Sequence, residues 1–180
     1  MAEPSQVALV KLLVAALYVD PEKLGQAAEI LEEKFGSIDY KSESYPFHAA
    51  DYYEPEMGAP IKRILFSFVN HVDAANLAEI KLITNSIENT MAISGKRTVN
   101  LDSGYLDFDK LVLASMKKDG QKIYIGKGVW ADMNLMYAKG QFTPFEWTFP
   151  DFAQGIYDKP LLRIREIYKA QLRESRSRHA

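Results

Sequence analysis

The chain has 180 residues, of which 47% are hydrophobic and 26% are charged, as in globular proteins and unlike disordered chains. This length favours one domain, which we place at residues 1–172, followed by a basic and disordered tail at 173–180. Because the chain contains no cysteine, a disulfide scaffold, an iron–sulfur cluster, a zinc finger and a thiol nucleophile are excluded.

Charge is distributed unevenly along the chain. Residues 1–90 contain 7 basic and 14 acidic residues, whereas residues 91–180 contain 15 basic and 10 acidic residues. The basic half would attract a small anion, a nucleic acid or an acidic partner. The alternative is that these charges only solvate the surface.

The first apolar stretch, VALVKLLVAALYV at residues 7–19, has to be tested as a membrane or export segment. It is shorter than the ~20 apolar residues that cross a bilayer, and no basic residue precedes Lys11. We therefore interpret it as a buried strand, and we expect a cytoplasmic protein without a membrane partner.

The first half of the chain alternates between predicted strands and helices. After the first strand, Asp20 and Pro21 begin a helix, which Gly36 ends. The spacing of Ile64, Phe66 and Phe68 predicts a strand. The predicted elements in order are a strand at 7–19, a helix at 21–36, an edge strand at 38–46, a loop at 47–60, a strand at 61–69 and a helix from 73 to 95.

The second half is predicted to be mostly β-structure. A short strand at 98–101 precedes a tight turn centred on Ser103 and Gly104, and Asp107 is expected to cap a short helix that runs to Ser115. Strands at 122–126, 129–138 and 141–147 form a ribbon, in which Val129, Ala131, Met133, Leu135 and Tyr137 are predicted to share one face. Pro160 is expected to start a final helix.

The order β-α-β-β-α-β through residue 101 is the split βαβ pattern of ferredoxin-like folds. We therefore predict an α+β protein with a ferredoxin-like βαββαβ core and a mainly antiparallel sheet. The C-terminal β-ribbon would extend this sheet, and the terminal helix would pack across it.

Candidate binding residues are densest in the segment 95–107. Polar residues at such density need partners, water or a ligand, although the turn at Ser103 and Gly104 would also account for several of them. Lys127 lies between Gly126 and Gly128, and this segment would contact an anion through Lys127. The alternative is that the segment forms a hairpin turn or a β-bulge. The candidates here are Lys96, Arg97, Asn100, Asp102, Tyr105 and Lys127.

Two further segments contribute candidates. The loop at 47–58 combines a histidine with aromatic and acidic residues, of which we select Asp51, Tyr52, Tyr53 and Glu56. Asp51 and Asp102 would form a carboxylate pair for a divalent cation such as Mg²⁺ if the fold joined them, but the histidine spacing matches no standard metal site. Trp147 would pack in the core or as a lid over the sheet, and the functional alternative is a platform on which a base stacks.

Four segments together resemble a prokaryotic family numbered 4416 among the domains of unknown function. They are DYYEPEMG, KRTVNLDSGYLDFDKLVLAS, IYIGKGVWADMNLMY and WTFPDF. The family pattern has Pro at the position of Ser103, Glu at that of Asp132, and Arg or His at that of Gln121–Lys122. The resemblance implies a self-standing prokaryotic cytoplasmic domain without an established activity, and it implies that the candidate residues form one site.

No motif names a reaction, so the sequence leaves open whether the protein is an enzyme. The leading hypothesis is a protein that binds a small anionic ligand, such as a nucleotide or a phosphorylated metabolite. In this hypothesis Lys96, Arg97 and Lys127 neutralise phosphate charge. The alternatives are an RNA-binding module that uses the sheet face and the basic half, and an assembly protein that pairs through an edge strand.

Overall fold

The computed structural model describes residue 3, residues 7–49 and residues 51–178, without the side chains of Asp51, Arg176 and Arg178. The strands are β1 (Val10–Tyr18), β2 (Ile38–Lys41), β3 (Tyr45–Pro46), β4 (Lys62–Val72), β5 (Val99–Leu106), β6 (Lys110–Ser115), β7 (Ile123–Gly126), β8 (Val129–Ala138) and β9 (Gln141–Pro144). The helices are α1 (Pro21–Phe35), α2 (Glu54–Met57), α3 (Leu77–Met91), α4 (Pro150–Ala153) and α5 (Asp158–Arg178).

The nine described strands form one antiparallel sheet with the order β2-β4-β1-β5-β6-β8-β7, in which β3 pairs with β4 and β9 pairs with β8. The predicted α+β class with a large antiparallel sheet is therefore confirmed. The ribbon β7–β8–β9 extends the sheet beyond β6, because β8 pairs with β6 along most of its length.

Helices cover both faces of the central strands. On one face, α1 and α3 pack against Leu12, Val14 and Ala16 of β1. On the other face, α5 packs against Leu13 and Ala15 of the same strand. Every residue of β1 is consequently buried, which explains why its sequence is apolar without alternation.

Helix α5 is also attached to the sheet by a buried polar network. Lys11 on β1 is fully buried and forms an ion pair with Asp39. Its Nζ also donates hydrogen bonds to the carbonyl oxygen of Phe68 at 2.6 Å and to Oε1 of Gln171 at 2.7 Å. Because every donor finds an acceptor, the lysine is held without water in the layer between sheet and helix.

Three predictions about the second half of the chain are wrong. Ser103 and Gly104 do not form a turn but lie inside β5, opposite Val14 and Leu13 of β1. Asp107 does not cap a helix: its carboxylate accepts hydrogen bonds from the backbone N–H groups of Asp109 and Lys110, and so closes the turn between β5 and β6. The residues that follow are strand β6, not a helix.

The predicted alternation along β8 is the third error. Leu111 of β6 pairs with Leu135, but Val112 pairs with Met133, so that Asn134 is an extra residue at a β-bulge. Beyond the bulge the alternation is shifted. Val129 and Ala131 therefore pack with α3, whereas Leu135 and Tyr137 pack with α5.

Smaller differences concern element boundaries. The predicted edge strand at 38–46 is divided into β2 and β3, both paired with β4. Helix α5 begins at Asp158 instead of Pro160 and runs to Arg178, beyond residue 172, where we placed the end of the domain. Disorder of the tail in solution stays a prediction, and residues 179–180 lie outside the described part. No helix among the described residues is long and apolar enough to span a membrane.

Candidate functional site

The candidate site lies where β5 and β6 separate. The two strands pair at only three positions, from Gly104 opposite Leu113 to Leu106 opposite Leu111. From Val99 to Ser103, β5 pairs with β1 alone among the described strands. A cavity of about 200 Å³ occupies this fork in the sheet. Its volume far exceeds the roughly 10–15 Å³ that one water needs and is below the roughly 300 Å³ of the smallest drug-sized pockets. The cavity is partly open to solvent, so a ligand larger than this volume would extend beyond it.

Helix α3 caps the edge of β5 that β6 leaves open. Nζ of Lys81 donates a hydrogen bond of 2.9 Å to the carbonyl oxygen of Leu101, and Oε1 of Glu88 accepts one of 2.6 Å from the Leu101 N–H. Both charged side chains are buried. They satisfy backbone groups that a neighbouring strand would otherwise bind.

Burial raises the pKa of the Glu88 carboxyl, an effect that the nearby Lys81 opposes without cancelling it. The folded protein therefore holds this proton more tightly than the unfolded chain does. Protonation of Glu88 therefore stabilises the folded protein most at pH values below the pKa that this carboxyl has in the unfolded chain. This stabilisation is lost as the pH rises through the higher pKa of Glu88 in the folded protein.

The substitution Glu88→Gln is expected to remove this pH dependence, because glutamine keeps the oxygen that binds Leu101 and carries no charge. Relative to the wild type, the variant should become more stable as the pH is raised from about 4.5. Urea unfolding at several pH values between 4 and 8 measures this difference. A difference that stays constant over this range would contradict the assigned role of burial.

Arg97 attaches the loop at 47–60 to the fork. Its Nε and one terminal nitrogen bind the two carboxylate oxygens of Glu56 at 2.8 and 2.6 Å, and its other terminal nitrogen donates to Oδ1 of Asn100 at 2.7 Å. The guanidinium also lies 5.5 Å from the ring centre of Tyr53. Hydrogen bonds from Arg97 hold the pKa of Glu56 below its usual value, so this clamp stays charged at neutral pH.

Arg63 of β4 forms a second buried cationic group. One terminal nitrogen lies 3.6 Å from Asp102, and its Nε lies 3.2 Å from Asp151, although not in line for a hydrogen bond. The rings of Phe47 and Phe152 are centred 4.9 and 5.2 Å from the guanidinium carbon. Arg63 is thus enclosed by two carboxylates and aromatic faces, a setting that suits a guanidinium better than an ammonium group.

The opposite wall of the cavity is formed by β8 and the loop before β7. Nζ of Lys122 lies 3.6 Å from Asp132 and 3.2 Å from Oγ of Ser115. Burial raises the pKa of Asp132, and the charge of Lys122 opposes this rise. The Oδ1 atom of Asp132 and both amide atoms of Asn134 are buried without a hydrogen-bond partner among the described residues.

Cations outnumber carboxylates among the residues that line the cavity, while Arg63 and Arg97 also pair with Asp151 and Glu56 outside the lining. Five cations face three carboxylates, and burial disfavours ionisation of two of the three. Tyr52, Tyr53, Phe149 and Phe152 add aromatic surface. The charged lining residues are Arg63, Lys81, Arg97, Lys117, Lys122, Glu88, Asp102 and Asp132.

The structure brings together about half of the residues predicted from the sequence. Tyr52, Tyr53, Arg97, Asn100 and Asp102 line the cavity. Glu56 reaches the site through its ion pair with Arg97. The side chain of Asp51 lies outside the described part of the chain.

The other four candidates lie away from the cavity lining. Lys96 is exposed, and Tyr105 packs in the apolar cluster under α3. Lys127 forms an exposed ion pair with Glu79, and its positive φ of 54° identifies the Gly-Lys-Gly segment as the turn between β7 and β8. Trp147 stacks on Phe145, with ring centres 4.9 Å apart.

Several lining residues were missed by the sequence argument, although three of them carry a local signal. Arg63 is a charged residue directly before the apolar run 64–66 of β4, and Lys81 and Glu88 interrupt the apolar stripe of α3. Lys122, Asp132 and Asn134 have no such signal, because their position depends on the bulge in β8 and on the fork.

The pairing of Asp51 with Asp102 at a divalent cation stays a prediction, because the side chain of Asp51 lies outside the described part of the chain. Among the described residues, no group of three or more His, Cys, Asp or Glu side chains is placed to hold a metal ion. Asp102 lies beside Arg63.

Fork, cavity and sheet order together define an α+β protein with a partly open cavity that charged and aromatic side chains line. The chain belongs to the family described as a domain of unknown function, DUF4416, whose model matches residues 8–168. Neither the curated proteins nor the solved structures contain a match. The resemblance inferred from the four sequence segments is thereby confirmed.

Proposed function

We propose that this protein binds a small phosphorylated ligand, a nucleotide or a phosphorylated metabolite, in the cavity at the fork. The observation that carries the proposal is a partly open cavity whose lining has more cations than carboxylates and also holds unpartnered polar atoms. Buried cations attract an anion strongly because little water screens them. A phosphate would accept hydrogen bonds from Arg63, Lys117 and Lys122, whose acceptors within the protein are incomplete.

We also propose that the four strands β2-β4-β1-β5, with α1 and α3 on one face, constitute a ferredoxin-like core. The antiparallel order and the shared face of the two helices support this assignment. The fork at β5 would then mark the place where the added ribbon joins the core.

The alternative of RNA binding receives less support. Its predicted surface is the open face of the sheet, but helices cover both faces of β1 and β4. Assembly through an edge strand would use β2 or β7, which end the sheet. A gel shift at 50 mM salt and light scattering at micromolar concentration test these two alternatives.

The proposal is tested by a thermal-shift screen of nucleotides and phosphorylated metabolites, followed by calorimetric titration of each compound that stabilises the protein. A ligand at 100 times its Kd adds about 2.7 kcal/mol, which for a chain of this size raises Tm by roughly 5–11 °C. A screen without any such shift would contradict the proposal.

Two lysine substitutions then locate the binding site. Lys122→Gln removes a cation that faces the cavity and is expected to weaken binding by roughly 10-fold or more, from about 1.5–3 kcal/mol for a charged hydrogen bond. Lys127→Gln makes the same chemical change on the other side of β7, in an exposed ion pair with Glu79. It should leave the affinity unchanged.

A second matched pair of variants avoids the risk that Lys122→Gln disturbs folding. Lys117 and Lys118 are adjacent and exposed, but only Lys117 lines the cavity, where its Nζ lies 4.8 Å from the ring centre of Tyr52. Lys117→Gln should weaken binding and Lys118→Gln should not. Equal effects within both pairs would show that only the overall charge matters.

A further inference from the structure

Asn134 is placed in the cavity wall by the bulge in β8. Because the register of β6 and β8 shifts between Leu111 and Val112, Asn134 has no residue directly opposite it. Its backbone carbonyl accepts a hydrogen bond from the hydroxyl of Thr148, so its main chain is held in place. The side chain is completely buried and lines the cavity.

Neither amide atom of Asn134 has a hydrogen-bond partner among the described residues. Burying an amide in this way costs free energy, whereas a leucine of similar size would not incur this cost. The packing of the fold therefore does not require an asparagine here. A bound group that offers a donor and an acceptor side by side would satisfy both atoms.

Two further atoms of the cavity lining are also unpartnered. Oδ1 of Asp132 is a buried acceptor and Nδ2 of Asn100 is a buried donor, and both lack a partner among the described residues. The phosphate that the cations would bind supplies acceptors only. Donors for Asn134 and Asp132 would come from another part of the same ligand.

The aromatic lining indicates what that part is. Phe149 and Phe152 line the cavity together with Tyr52 and Tyr53. Aromatic faces stack on planar rings, and a nucleobase has such a ring with donors and acceptors along its edge. An asparagine amide binds such an edge through both of its atoms, as it does with adenine.

We infer that the ligand is a nucleotide and that Asn134 hydrogen-bonds the edge of its base through both amide atoms. The inference rests on the proposed function, because it assigns the phosphate to the cationic side chains. It adds the base as the second recognised part and makes Asn134 a residue that determines specificity.

The test compares ribose 5-phosphate with AMP, GMP, CMP and UMP by calorimetric titration of the full chain. At least one nucleotide is expected to bind 10-fold or more tightly than ribose 5-phosphate. Asn134→Leu should lower the affinity for that nucleotide to the affinity for ribose 5-phosphate. The affinity for ribose 5-phosphate itself should stay within twofold of the wild type. Asn89→Leu, the same exchange at an exposed position of α3 outside the cavity lining, should change neither affinity.

The possible results separate the inference from the proposed function. If ribose 5-phosphate binds as tightly as every nucleotide, or if the preference survives in Asn134→Leu, the inference is wrong and phosphate binding stands. If neither ribose 5-phosphate nor any nucleotide or other phosphorylated compound binds, the proposed function fails together with the inference. Should Asn134→Leu not fold, Asn134→Ala removes the same two amide atoms without adding bulk, and the same outcomes apply.

Discussion

Replacing Arg63 with methionine is expected to lower the free energy of unfolding by about 3–5 kcal/mol, the usual cost of removing one partner from a buried ion pair. Arg63 is almost completely buried beside Asp151, which is buried as well, and near Asp102. Methionine fills most of the space of the arginine but leaves Asp151 charged and without a cation. Urea unfolding of the two proteins at pH 7 measures the loss.

A double variant separates the loss of the pair from the loss of packing. Asp151→Asn keeps an oxygen for the hydroxyl of Tyr157, which donates to Asp151 at 2.9 Å, and removes the charge. In the background of Arg63→Met it should restore a large part of the lost stability, because no unpaired charge is left at that position. A loss below about 1 kcal/mol in the single variant would show that the carboxylates do not depend on Arg63.

Gly104→Ala is expected to destabilise the protein by about 1–3 kcal/mol, the usual cost of overpacking a close contact. Gly104 is the last paired residue of β5 before the fork. A Cβ atom there would lie 2.7 Å from Cδ2 of Leu113 and closer still to the carbonyl oxygen of Val112. Since Val112 is held by β8, the strands would have to separate further and the fork would widen.

Gly25→Ala provides the matched control. Gly25 lies inside α1, and a Cβ atom at this position would have no atom within 4 Å. The same substitution should therefore stabilise the protein by about 0.5–1 kcal/mol, the usual difference between alanine and glycine in a helix. If both variants lost stability equally, the tight contact at Gly104 would not explain the effect.

Local patterns predicted the elements whose contacts lie close in sequence. The cap at Asp20 and the helical spacing of apolar residues in α1 are both present in the structure. The predicted shared face of Ile64, Phe66 and Phe68 in β4 is present as well.

At Asp107 the local pattern is the same for a turn and for a helix. Its carboxylate accepts hydrogen bonds from the backbone N–H groups of Asp109 and Lys110. An aspartate makes the same local hydrogen bonds in a turn and at the start of a helix. Only the pairing of β6 with β5 and β8 makes the next residues a strand.

The candidate site was predicted where polar residues are dense and missed where they are isolated. Arg97, Asn100 and Asp102 were selected because their segment is unusually polar, and all three line the cavity. Asn134 occurs singly between Met133 and Leu135, and its surroundings come from distant parts of the chain. Lys127 carried a local signal, but that signal was the chemistry of a turn.

The sequence by itself determined the class of the protein, the apolar faces of its helices and strands, and the polar segment that supplies part of the cavity. These properties depend on neighbours within one or two turns, so they can be read from periodicity and capping. The tertiary structure alone decided where the cavity lies and which charges face it. The fork depends on how far β6 stays paired with β5, and the position of Asn134 depends on a bulge of one residue. The register between two strands follows from which faces are buried and from the turns that join them, so the pattern of one strand alone does not show a bulge.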